Sequence, residues 1–140
     1  DYKLMAENDS MYNTPPCWPI YMAKLVFEWL LSIGGLEEMK RRNEKKASLL
    51  YDYLDNQSYY TATVDKKCRS MMNVVFITGD AELDKKFARE ADEAGLKNLK
   101  GHRSVGGMRA SIYNAMPYAG VEKLIQFMKD FAVNNPKIQT

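Results

Sequence analysis

The run Lys100-Gly101-His102-Arg103-Ser104-Val105-Gly106-Gly107-Met108-Arg109-Ala110-Ser111-Ile112-Tyr113-Asn114-Ala115 decides how this chain is read. Its glycines predict a tight turn over residues 101–107, and Met108 to Ile112 reads as the strand that the turn delivers. Arginine presents a planar fork that grips carboxylate or phosphate through two parallel hydrogen bonds. Glycine lets the backbone approach a ligand closely. The segment therefore suits a small dianion, such as a phosphorylated acid, held by His102, Arg103 and Arg109. On these residues alone, a solvated basic turn with Arg109 paired to a surface carboxylate is the plainer alternative. His102 is the only histidine, and no second His or Cys is spaced to make it a metal ligand, so no metal site is expected.

Working outward from the turn, the pattern mixes two periods. Towards the C-terminus, Pro117 sits where a first helical turn accepts proline, and Val121, Leu124, Ile125, Met128 and Phe131 form an amphipathic helical stripe. Towards the N-terminus, Leu96 to Leu99 reads as a short strand. Before it, Leu83, Phe87, Ala91 and Ala94 line a helix that stops at Gly95. Asn73-Val74-Val75-Phe76-Ile77, closed by Thr78-Gly79-Asp80, is a β-branched and aromatic run, and Tyr60, Ala62 and Val64 alternate with Tyr59, Thr61 and Thr63; both read as strands.

Two helices precede them. Met39, Asn43, Ala47, Leu50 and Leu54 give the inner face of one, with Glu37 and Glu38 in its first turn, where the helix dipole favours anions. Ile20, Ala23, Phe27, Leu30 and Leu31 line the other, which ends at Gly34-Gly35. Residues 1–19 are read as irregular backbone, punctuated by Pro15, Pro16 and Pro19, with helix beginning only after Pro19. Helices and strands are interspersed without a βαβ repeat. The expected fold class is α+β: a small sheet with helices packed on one face.

Composition bounds the functional classes. The 140 residues are 46% hydrophobic and 27% charged, which excludes disorder and low complexity and provides for one domain with a core. A formal charge of +2 gives no field for nucleic acid or anionic lipid, and Lys45-Lys46, Lys66-Lys67 and Lys85-Lys86 read as solvated faces. Leu25 to Leu31 is broken by Glu28 and falls well short of the roughly 18 residues a membrane span needs. Cys17 and Cys68 belong to no metal or disulfide spacing and read as free thiols in a reducing compartment, so a cytoplasmic protein is expected. The nine methionines read as core filler.

A second anion-binding candidate is Tyr12-Asn13-Thr14-Pro15-Pro16. There an amide, a hydroxyl and backbone N–H groups precede two stiffening prolines, although a plain turn explains the same residues. These features occur together with Asp1-Tyr2-Lys3, Ala6-Glu7-Asn8-Asp9-Ser10 and Arg69-Ser70-Met71-Met72-Asn73-Val74. With them, over essentially the whole chain, the sequence resembles the C-terminal part of the phosphoserine aminotransferase family. The run from Lys100 to Ala115 is long and specific to that family, so the resemblance overrides the plainer readings.

The resemblance implies a homodimeric pyridoxal-phosphate enzyme of the aspartate-aminotransferase-like fold, fold type I, in serine biosynthesis. Such an enzyme exchanges an amino group between glutamate and 3-phosphohydroxypyruvate; for bacterial members the resemblance extends to a four-carbon analogue in vitamin B6 (pyridoxine) synthesis. By the same resemblance, Asn13 and Thr14 reach the cofactor phosphate of the neighbouring subunit, His102 and Arg103 hold the substrate phosphate, and Arg109 grips the substrate α-carboxylate. Residues 1–33 would be the tail of the large domain and its dimer arm, and residues 34–140 the small C-terminal domain. No lysine here lies in a segment matching the family's Schiff-base motif, so no catalytic residue is assigned. The chain is expected to be cut from a longer one and inactive alone. The competing expectation is a free-standing, non-catalytic module that binds a phosphorylated small molecule.

Overall fold

The computed structural model describes residues 1–137, and these divide into two compact units that meet in sequence between Met39 and Lys40. The small domain expected over residues 34–140 runs into residues 138–140, which lie outside the described residues.

The first unit contains helix α1 (Tyr2–Glu7), helix α2 (Cys17–Ser32) and the opening of helix α3 (Gly35–Asp55). Two expectations are corrected here. Residues 1–19 are not all irregular: the Asp1 carboxylate accepts the Lys3 amide at 2.9 Å and caps α1, a short helix that periodicity cannot reveal. In addition, α2 begins at Cys17 rather than after Pro19. Proline is harmless in a first turn, because the N–H groups there have no intrahelical acceptor to lose. The stripe expected to be the inner face of α2 is not buried: no residue of α2 is, and Phe27 and Leu31 are 62% and 75% exposed.

The second unit carries the core. Strands β1 (Thr61–Ala62), β2 (Asn73–Ile77) and β3 (Met108–Ser111) form an antiparallel sheet in the order β1-β2-β3. Helix α4 (Ala81–Glu93) lies between β2 and β3 in sequence, and α5 (Tyr118–Asn134) follows β3. Alternation along the strands sends Val74, Phe76, Met108 and Ala110 to one face, where they join Ala47, Leu50 and Leu54 of α3, Phe87 and Ala91 of α4, and the predicted α5 stripe in a single buried cluster. Aromatic edges lock the layers: Phe76 meets Phe87 at 5.8 Å and 90°, and Phe87 meets Phe131 at 5.0 Å. The buried Tyr60 hydroxyl donates to the Met128 carbonyl at 2.9 Å, so its polar tip is satisfied inside the core.

The α+β class with helices on one sheet face is thus what the chain adopts. The strand expected at Leu96 to Leu99 is absent. The Leu96 amide is spent on the Ala91 carbonyl at 2.8 Å, closing the end of α4, and Asn98 turns left-handed at φ 62°, which leaves only an isolated bridge from Lys100 to Met108.

Candidate functional site

The turn before β3 is built on close backbone approach. A side chain at Gly101 would collide with the carbonyl of Gly106 and lie 2.7 Å from that of Gly107. One at Gly107, where φ is 65°, would lie 2.6 Å from Ile77 Cγ2 and 2.9 Å from the Phe76 carbonyl. Both positions therefore require glycine. Within the turn, the His102 carbonyl accepts the amides of Val105 (3.0 Å) and Gly106 (2.8 Å), and the Gly101 amide donates to Gly107 at 2.8 Å. His102 Nδ1 lies 2.6 Å from Ser104 Oγ and accepts the Ser104 amide at 3.3 Å. The exposed Arg103 guanidinium makes no hydrogen bond or ion pair among the described residues.

His102 and Arg103 line one cleft, of about 680 Å³, with Lys100 and Gly107 on the turn side and Lys85 and Arg89 across it on α4. Lys85 is committed to Glu82 at 2.7 Å, whereas Arg89 and Lys100 have no ionic partner among the described residues. The cleft is thus bordered by cations with donors to spare and by two carboxylates already engaged, Asp84 with Thr78 and Asp92 with Lys97. Arg109 is not part of that lining. It pairs with Val75 on the sheet face opposite the core, its amide donating to the Leu99 carbonyl at 2.8 Å. Among the described residues no carboxylate takes its side chain and the buried Nε has no partner; such a donor calls for a ligand or water acceptor. On the same face, Asn73 accepts from Ser111 Oγ at 3.1 Å and donates to the Tyr113 hydroxyl at 2.8 Å.

Asn13 and Thr14 lie in the first unit, exposed, on the loop entering α2. Neither side chain has a partner among the described residues, and the N-cap of α2, Pro16, supplies no side-chain acceptor to the first turn. An amide, a hydroxyl and an uncapped helix N-terminus together fit a phosphate group. Among the described residues no group of three His, Cys, Asp or Glu side chains could hold a metal ion, and no single helix is long and apolar enough to cross a membrane. Both cysteines are free and exposed.

Sequence reasoning missed Lys46. Expected on a solvated face, it is 2% exposed and donates Nζ to the carbonyls of Ile112 (3.1 Å), Tyr113 (2.7 Å) and Met116 (3.0 Å). Burial pushes its pKa below the usual lysine value. The signal was present, because Lys46 falls at helical spacing with Asn43 and Leu50 on the predicted inner face. The α4 side of the cleft was missed as well, since nothing in the sequence links Arg89 to the turn.

A three-stranded α+β layer carries these basic groups on a Gly-rich turn and the strand after it, and residues 1–124 match the Aminotransferase class-V family. The chain belongs to that family. More narrowly, it is 59% identical over 136 residues to phosphoserine aminotransferase of Streptococcus suis, covering 96% of this chain and 38% of that protein. It is 56% identical to the chloroplastic phosphoserine aminotransferase 2 of Arabidopsis thaliana, covering 94% of this chain and 31% of that protein. Among solved structures, it superposes on phosphoserine aminotransferase from Bacillus circulans at 48% identity with a TM-score of 0.88, covering 95% of this chain and 37% of that one. The PLP-bound enzyme of Trichomonas vaginalis superposes at 39% identity with a TM-score of 0.83, covering 92% and 37%. The chain thus spans between about a third and two fifths of the length of these relatives.

Proposed function

We propose that this chain is the C-terminal part of a pyridoxal-phosphate-dependent phosphoserine aminotransferase. The complete enzyme exchanges the amino group of glutamate for the keto oxygen of 3-phosphohydroxypyruvate, giving 2-oxoglutarate and phosphoserine. It works as a cytoplasmic homodimer in serine biosynthesis, with a further part in pyridoxine synthesis. The observation that carries this reading is the pairing of two sets of basic donors, one on the turn at His102 and Arg103 and one on β3 at Arg109, whose buried Nε has no partner among the described residues.

Each residue has a part. Arg109 holds the α-carboxylate that every amino-acid substrate carries, and so orients the Cα–H bond to be broken. His102 and Arg103 hold the phosphate found only on the phosphorylated substrate, in the active site of the partner subunit. Asn13 and Thr14 hold the cofactor phosphate across the same interface, their free donors and the uncapped start of α2 supporting that role. Bound pyridoxal phosphate supplies the electron sink that makes the Cα proton removable. No residue of this chain takes that proton, and the chain alone is inactive. Residues 1–33 belong to the large domain and its dimer arm.

The test is single-turnover kinetics of both half-reactions in the full-length protein. Arg109→Ala is expected to damage the glutamate and phosphoserine half-reactions alike, by about ten- to a hundredfold in kcat/KM, the loss of a charge-assisted bidentate contact. Arg103→Ala should cost the phosphorylated substrate much more than glutamate. Equal losses for Arg103→Ala with the two substrates would remove it as a phosphate ligand and end this division of roles.

A further inference from the structure

We propose that Ser104 is a positioning residue for His102, selecting the tautomer of its imidazole that carries the proton on Nε2. This rests on the reading that His102 contacts the substrate phosphate. The backbone of His102 is pinned by the two amides that converge on its carbonyl, and the ring is pinned separately by Ser104, through Oγ at 2.6 Å and the amide at 3.3 Å. An amide can only donate, so Nδ1 receives it with a lone pair. At 3.3 Å that contact is long and only biases the ring; Oγ, donating at 2.6 Å, supplies most of the preference, and the single ring proton of the neutral imidazole is left on Nε2.

The chemistry of the cleft explains why this matters. With Nδ1 occupied, Nε2 is the free polar atom of a ring that lines a cleft bordered by Arg103, Arg89 and Lys100. Protonated, Nε2 donates to a phosphate oxygen; the other tautomer would present a lone pair to that oxygen and repel it. Ser104 selects the productive tautomer before the ligand arrives, so binding bears no cost for turning or re-protonating the ring. Arg103, with no partner among the described residues, follows the anion and supplies the charge.

Two measurements in the full-length protein test this. Long-range 1H–15N spectra of the neutral His102 ring, assigned by the signals lost in His102→Gln, are expected to show the proton on Nε2 in the wild type and in Ser104→Thr, and a mixture of tautomers in Ser104→Ala. Ser104→Ala is expected to raise KM for the phosphorylated substrate about three- to tenfold, with a smaller effect on glutamate, and Ser104→Thr to restore it. A wild-type ring protonated on Nδ1, or a Ser104→Ala variant identical to wild type in both spectrum and KM, overturns the role given to Ser104. Unchanged kinetics with the phosphorylated substrate in His102→Ala overturns instead the phosphate contact on which the role depends.

Discussion

At the scale of single residues, the segment that follows β3 is held by one buried lysine. Lys46 holds the carbonyls of Ile112, Tyr113 and Met116, so one ammonium gathers the backbone that leaves β3 after Ser111. Replacing it by methionine keeps the stem and removes the donor, stranding carbonyls beside the core. A hydrogen bond from a charged donor contributes about 1.5–3 kcal/mol, and the carbonyls exposed to rearrangement recover part of the loss through water, so Lys46→Met should cost about 2–3 kcal/mol of unfolding free energy. Urea denaturation of the two proteins measures this, and a difference below about 0.5 kcal/mol, the size of an ordinary surface substitution, would show that the three contacts are replaceable. Lys46 also marks where reading by residue type fails. Its position on the inner stripe of α3 was legible, but a lysine among apolar residues is ordinarily assigned to solvent. Only the fold brings three carbonyls from residues 112–116 to its tip.

At the scale of elements, long stripes and β-branched runs were legible because their period is local. The inner face of α3, strand β2 and the α5 stripe stand where the sequence puts them. Contacts between residues distant in sequence were not legible, and the tie between the end of α3 and the segment before β2 is one of them. Asp55, the last residue of α3, takes Arg69 through two bonds of 2.6 and 2.9 Å and Lys66 at 2.9 Å. The Arg69 guanidinium lies 4.5 Å from the Tyr51 ring centre, and Tyr51 donates to the Ser70 carbonyl at 2.9 Å. The sequence stretch Arg69-Ser70 entered only as part of a resemblance, yet it fixes the approach to the strand that neighbours Arg109.

The hydrogen bonds from Arg69 and Lys66 hold the Asp55 carboxyl well below its ordinary value of 3.8. A group whose folded pKa is depressed contributes stability above its unfolded pKa and loses it as pH falls towards the folded one. The stability difference between wild type and Asp55→Asn is therefore expected to be constant near neutrality and to shrink as pH falls below about 4. Parallel urea titrations at several pH values follow it. A difference that stays flat down through the carboxylate range would show that the pair does not distinguish folded from unfolded chain.

At the scale of the whole molecule, α2 is the element that the described residues leave without a core. Trp18, Ile20, Phe27 and Leu31 are all more than half exposed, on a helix carrying only one acidic and one basic side chain, Glu28 and Lys24, which pair with each other at 3.5 Å. Apolar exposure of this extent is unusual on a monomer in water, and on the proposed reading it is covered by the rest of the enzyme. In the 140-residue chain it should drive association, since burying one such side chain contributes about 1.5–3 kcal/mol and the helix offers several. Sedimentation of the isolated chain is expected to show concentration-dependent association, and the double variant Phe27→Glu, Leu31→Glu should weaken it by at least about tenfold. The side chains at these positions take no part in the core cluster, and their backbone bonds are kept by any residue, so the fold of the second unit should persist in the variant with the same circular dichroism. A wild-type chain that sediments as a clean monomer at high concentration would show that the exposed helix is tolerated in water as it stands. The apolar residues of α2 would then need an account other than coverage by the remainder of the enzyme.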